Sequence, residues 1–67
     1  MTRLIRNKKT RQYLKEGGIW VGHAKEAWRF QDVGSVLHVV STYKLTEVEM
    51  ILLIRDEPSG LDVVIDL

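Results

Sequence analysis

Aromatic side chains are the residues of this sequence best suited to bind a ligand. Tyr13, Trp20, Trp28 and Phe30 surround a Gly-Gly pair in the stretch YLKEGGIWVGHAKEAWRF. Such rings could stack on a nucleobase or a sugar, or they could supply the buried area that a 67-residue domain needs for a core. We favour the core for Phe30 and for Trp20 or Tyr13. Trp28 stands among charged neighbours, and we expect it to be a partly exposed surface anchor.

Patterns typical of catalysis or metal binding do not occur in the sequence. The two imidazoles, His23 and His38, are far apart, and there is no cysteine. Carboxylates such as Asp62 and Asp66 recur at strand spacing, but acid–base chemistry would require a cleft around them. We interpret them as a solvated strand face. The sequence therefore predicts a protein that is not an enzyme and has no metal or cofactor.

Positive charge is concentrated at the N-terminus. All the charged residues among the first 15 are basic, whereas the rest of the chain holds all nine acids. This basic segment could contact phosphates, or it could solubilise the chain or pair with its acidic strands. The candidate nucleic-acid contacts are Arg6, Lys8, Lys9, Arg11 and Lys15. A nucleic-acid-binding accessory protein is thus the alternative function, and residues 1–8 are expected to form a flexible basic tail.

A β-hairpin is predicted around the Gly-Gly pair, because glycine accepts the positive φ that hairpin turns need. Two registers remain open. A two-residue loop pairs Glu16 with Ile19, whereas a three-residue loop pairs Lys15 with Ile19. The choice decides which face of the sheet Trp20 joins, since a slip of one residue inverts every side chain.

A helix is predicted over residues 33–44. Apolar residues fall at i, i+3, i+4, i+7 and i+10, and Asp32 is suited to be the N-cap. This stripe comprises Val33, Val36, Leu37, Val40 and Tyr43. The valines also permit a strand, with Leu37, Val39, Tyr43 and Leu45 on one face. We favour the helix because the cap and the period agree.

Two strands follow the helix, with the turn DEPSG between them. The inward row of the first comprises Val48, Met50, Leu52 and Ile54, and that of the second comprises Leu61, Val63, Ile65 and Leu67. Phe30 and Leu52 are expected to face the helix and to be buried. The order of elements predicts an α+β fold in one domain, residues 1–67. Its topology is ββαββ, with one helix packed on one face of a four-stranded antiparallel sheet.

The same aromatic stretch carries a resemblance to known chains. Its spacing YL…G…W…A..F is formed by Tyr13, Leu14, Gly18, Trp20, Ala27 and Phe30. It resembles a pattern in small uncharacterised bacterial and phage proteins, in which a hairpin with a Trp leads through an alanine-containing turn to a Phe, a helix and two strands. The resemblance covers residues 10–67. It implies a fold and carries no activity.

The face of the sheet opposite the helix is predicted to be an interaction surface, because one helix cannot cover both faces. Ile51 and Leu53 point away from the helix-facing row, and Val64 points outward. Together with Trp20 and Trp28 they are the interface candidates of a protein–protein interaction module that forms a homodimer or binds another protein. Alternatively, Ile51 and Leu53 lie beneath a loop or the AKEAW segment of their own chain.

Hydropathy indicates the compartment. The polar N-terminus is not followed by an apolar run of signal-peptide length, and the longest apolar run, MILLI, is too short to cross a bilayer. The sequence therefore predicts a cytoplasmic protein.

Overall fold

The computed structural model describes residues 1–67 as one antiparallel sheet of five strands with a single α-helix. The strands are β1 (Arg3–Asn7), β2 (Tyr13–Lys15), β3 (Ile19–Val21), β4 (Val48–Leu52) and β5 (Val63–Asp66); the helix is α1 (Val33–Thr42), and Ala24–Glu26 forms a 3₁₀ turn. The strand order is β3-β2-β1-β4-β5. The α+β class with one helix is confirmed, but the prediction of four strands is wrong.

The fifth strand is formed by the N-terminal segment, so the prediction that residues 1–8 form a flexible tail is wrong. β1 lies at the centre of the sheet and pairs with β4 along its whole length, from Arg3 opposite Leu52 to Asn7 opposite Val48. Leu4 and Ile5 are completely buried, one on each face of the sheet. A central strand needs apolar residues on both faces, so the two adjacent apolar residues of RLIRN do not produce the alternation that marks a half-exposed strand.

The helix begins and ends with defined caps. The carboxylate of Asp32 accepts a hydrogen bond from the Ser35 backbone N–H at 2.7 Å. At the other end, the N–H groups of Lys44 and Leu45 donate to the carbonyls of Ser41 and Val40. This is a Schellman motif, in which Lys44 occupies the left-handed position with φ of 53°.

The buried side of the helix differs from the predicted stripe. Val36 and Val39 are buried and Val40 is partly so. Leu37, Val33 and Tyr43 are exposed by 40% or more. Apolar residues extend around so much of this helix that several orientations bury a stripe, and packing against the sheet selects one.

The β2–β3 hairpin has the three-residue loop. Lys15 pairs with Ile19, and Gly17 and Gly18 have φ of 95° and 84°. A Cβ on Gly18 would lie 2.7 Å from the Tyr43 ring, so a larger residue would have to displace this ring in addition to straining the backbone. In this register Trp20 lies opposite Leu14 on the helix side of the sheet.

Two apolar cores form, one on each face of the sheet. The core beneath the helix comprises Ile5, Leu14, Phe30, Val36, Val39, Val48 and Met50. The core on the opposite face comprises Leu4, Ala27, Ile51 and Leu53, with Ala24 and Tyr13 packed against it. We call residues 24–27 the cover segment, because they lie over this second core.

The cover segment overturns the prediction that Ile51 and Leu53 form an exposed interface. Their exposed fractions are 1% and 2%. The alternative, in which they lie beneath the AKEAW segment, is the one that the structure adopts. A backbone hydrogen bond from Trp28 N to Leu14 O ties the end of this segment to β2. The cover segment thus shields the face of the sheet that the helix does not reach.

β5 is left uncovered, contrary to the prediction that one of its rows faces inward. All four residues of β5 are exposed, as are Leu61 and Leu67, and Leu52 beside it is only half-buried. A helix is about 10 Å across with its side chains, whereas five strands span roughly 19 Å. One helix therefore covers the middle of this sheet and leaves an edge open.

The Schellman motif predicts that Lys44→Gly stabilises the protein by about 1 kcal/mol, because glycine adopts the left-handed conformation without the Cβ clash. The melting temperature should rise by roughly 4–8 °C in a domain of this size. Ser41→Gly is the matched control, since an exposed glycine inside the helix should lower stability by about 1 kcal/mol. A lower melting temperature for both variants would contradict the assigned cap.

Candidate protein interaction site

The predicted nucleic-acid contacts are mostly engaged with carboxylates of the same chain. Arg6 Nε donates to Glu49 Oε2 at 2.7 Å, and Arg11 Nη1 reaches the same oxygen at 3.3 Å. Lys8 Nζ lies 2.9 Å from Asp66 Oδ1. Half of the N-terminal cations therefore compensate Glu49 and Asp66 on the strands of their own sheet.

Glu49 is the centre of this charged cluster. It lies on β4 directly opposite Arg6 of β1, on the face that carries the second core, and it is buried with 6% of its surface exposed. Arg6 and Arg11 supply two cations for one buried carboxylate, which satisfies it by charge-assisted hydrogen bonds. Of the five candidate cations, Lys9 and Lys15 have no carboxylate within ion-pair distance.

The four aromatic residues do not converge on a ligand site. Phe30 is buried in the core beneath the helix, whereas Tyr13 packs against the core on the opposite face. Trp20 and Trp28 are half-buried against the helix-side core. Trp28 stacks at 5.0 Å from Phe30 and contacts Tyr43 edge-on at 6.2 Å, measured between ring centroids. These rings serve packing on two faces of one sheet, and only Phe30 is a fully buried one.

A groove of about 660 Å³ runs along the start of the helix. Trp28, Phe30, Asp32, Ser35 and His38 contribute to its lining. The hydrogen bond from the Ser35 backbone N–H holds the pKa of Asp32 below its usual value, and the Ser35 hydroxyl adds to this effect. The carboxylate is thus used as a helix cap. No group of three or more His, Asp or Glu side chains lies together as a metal site would require.

β5 presents an open hydrogen-bonding edge. Leu67 N donates to Val48 O, and the residues of an antiparallel pair alternate between hydrogen-bonded and non-hydrogen-bonded positions. Val63 and Ile65 therefore direct their backbone groups toward β4. Val64 and Asp66 direct theirs away from the sheet, where no strand pairs with them.

Apolar side chains flank this open edge on both faces. Val63 and Ile65 lie on the helix side, opposite Leu52 and Met50, and Val64 lies on the other side, opposite Ile51. The exposed fractions of Leu61, Val63, Val64, Ile65 and Leu67 are 60%, 45%, 49%, 41% and 41%. Of the predicted interface residues, only Val64 belongs to this surface. Sequence reasoning missed Val63, Ile65 and Leu67 because their alternation indicated a buried row.

The acids next to the edge are held by their own chain. Asp62 accepts from the backbone N–H groups of Ser59 and Ile54, at 2.6 and 3.3 Å. Asp66 is paired with Lys8, and this contact raises the pKa of the Lys8 ammonium above its usual value. The negative charges beside β5 are therefore partly satisfied before any partner arrives.

Comparisons with known proteins add no relative. No protein family, curated protein or solved structure matches this chain. The resemblance to small bacterial and phage proteins stays a prediction. None of the helices has the length and apolar character that a membrane span needs.

Loss of the buried carboxylate should destabilise the fold. Glu49→Ala removes the partner of a half-buried Arg6 guanidinium, and we expect a loss of about 1–3 kcal/mol in the free energy of unfolding. Glu57→Ala is the control, because its 4.0 Å contact with Lys25 is exposed and should contribute at most a few tenths of a kcal/mol. Equal denaturant midpoints for the two variants would refute the role of Glu49.

The Asp32 cap at the start of the helix also predicts that the stability of the fold depends on pH. Because the folded-state pKa of Asp32 is lowered, its ionised form contributes stability above the unfolded value of about 4, and this contribution disappears as the pH falls through the folded value. Asp32→Asn keeps a capping oxygen without a titrating group. Thermal melts between pH 5 and pH 2 should show a smaller fall for Asp32→Asn than for the parent. Parallel curves would show that the cap is not linked to protonation.

Proposed function

We propose that this chain is a protein–protein interaction module whose binding element is the open edge of β5. The observation that carries the proposal is the combination of unpaired backbone groups and exposed apolar side chains on one strand. An extended segment of a partner can add to such an edge, with backbone hydrogen bonds for affinity and side-chain contacts for specificity.

The composition of β5 supports this role. Proteins use lysine, proline, bulges or inward-pointing charges to prevent their edge strands from pairing with other strands. The sequence VVID of β5 has neither lysine nor proline, and its one acid is paired with Lys8. Three of its four residues have the branched apolar side chains that strands favour. β5 therefore lacks two of the residue types, lysine and proline, that keep an edge free of partners.

The opposite edge of the sheet is less suited to pairing. β3 has only three residues, and Trp20 at its centre is half-buried against the helix-side core. Ile19 is exposed by 56%, but no second exposed apolar residue follows it along the strand. The longer and more apolar β5 is the better binding edge.

Nucleic-acid binding is less well supported as an alternative. It would have to use Arg6, Arg11 and Lys8, which are engaged with Glu49 and Asp66. Binding a phosphate would require these ion pairs to break, and the free energy lost with them would offset part of the free energy gained from the phosphate contact. Lys9 and Lys15 alone could neutralise only a few phosphates and would bind nucleic acid weakly.

The test is site-specific photo-crosslinking in the cells that express the protein. A benzophenone amino acid at Val64, which is exposed on the edge strand, should give discrete covalent adducts. Ser41, which is exposed on the helix, is the matched control position and should give none above background.

The masses of the adducts then identify the partner class. An adduct of twice the chain mass or of any larger discrete mass, specific to Val64, supports the function. The absence of adducts at Val64, or equal adducts at both positions, would overturn it.

A further inference from the structure

We infer that the partner of β5 is β5 of a second copy of this chain, paired antiparallel around a two-fold axis at Ile65. The inference rests on the proposed function and identifies its partner. The two sheets would join into one continuous antiparallel sheet, with both helices on the same side. Its basis is the order of apolar and acidic residues along the edge.

Symmetry limits the possible registers. Antiparallel pairing of two identical strands places a two-fold axis perpendicular to the sheet, and directly opposed residues share a face. Because Val63, Ile65 and Leu67 face one side while Val64 and Asp66 face the other, the axis must pass through a residue and not between two. The axis can therefore lie at Val63, Val64, Ile65 or Asp66.

Charge repulsion disfavours two of these positions. An axis at Val64 places Asp62 opposite the Asp66 of the second copy, and an axis at Asp66 places two copies of that acid opposite each other. Like charges directly opposed across a sheet are destabilising. An axis at Val63 pairs residues 60–66, so it engages the Gly60 turn instead of Leu67 at the other end.

The axis at Ile65 uses the whole strand and places no two acids directly opposite each other. Ile65 meets its symmetry mate, and Val63 meets Leu67 on either side, which makes one apolar row on the helix side. Val64 lies opposite Asp66, and these are the residues whose backbone groups point outward. Their N–H and C=O groups can therefore pair with those of the second copy in the same register.

A second copy fits this edge better than an unrelated strand because the pattern is self-complementary. The spacing of Val63, Ile65 and Leu67 is symmetric about its centre, so the same row matches itself when it is reversed. A domain of 67 residues also has little core of its own and gains stability from such pairing. Edge pairing buries less area than a standard interface, so dissociation constants on the order of micromolar are expected.

Two measurements on the purified full chain test the inference. Sedimentation equilibrium of the parent should show a mass of twice 7.8 kDa at high micromolar concentration. The chain has no cysteine, so single cysteines can then report the register. Across the two-fold axis, Ile65→Cys brings two Cα atoms to about 4.5 Å, within reach of a disulfide. Val64→Cys is the matched control, because its symmetry mate is a diagonal neighbour about 7–8 Å away.

The expected result is a dimer in which Ile65→Cys oxidises to a disulfide-linked pair at least tenfold faster than Val64→Cys, with circular dichroism showing that both reduced variants are folded. Faster cross-linking of Val64→Cys would overturn the register. A monomeric mass for the parent would overturn the second copy as partner. That outcome is distinct from failure of the proposed function, because a discrete adduct of Val64 with a different protein would still support binding at this edge.

Discussion

The fold depends on a difference in width between its two layers: a single ten-residue helix is too narrow to cover a sheet of five strands. The helix covers the centre of one face, where Ile5 of β1 and Met50 of β4 are buried. The rest of the sheet needs another solution. On the opposite face the chain supplies the cover segment, whose small Ala24 and Ala27 lie against Leu4 and Ile51. At the β5 edge no segment of the chain covers the apolar side chains.

Charge follows from the same arrangement. Placing the basic N-terminal segment at the centre of the sheet brings Arg6 directly opposite Glu49. A buried carboxylate without a cation would be costly, and a half-buried arginine without a carboxylate would be too. Three of the six N-terminal cations, Arg6, Lys8 and Arg11, are thereby paired with carboxylates of the same sheet. The basic N-terminal segment therefore supplies the cations for Glu49 and Asp66.

The proposed function arises from what these solutions leave open. β5 pairs with β4 on one side only, and its apolar residues gain neither helix nor cover segment above or below them. Its neighbouring acids are held by Lys8 and by the loop before the strand. An edge with free backbone groups, branched apolar side chains and satisfied acids favours addition of another strand.

The sequence by itself determined the local features. The Asp32 cap and valine period predicted the helix, the glycine pair predicted the hairpin, and alternation located β4 and β5, because these signals depend on residues close along the chain. Only the tertiary structure decided that Arg3–Asn7 is a central strand, that Ile51 is buried and that Ile65 is exposed. Each of these depends on which distant segment lies above or beside the residue. An apolar period indicates that a side chain can be buried, and the packing of the other elements decides whether anything covers it.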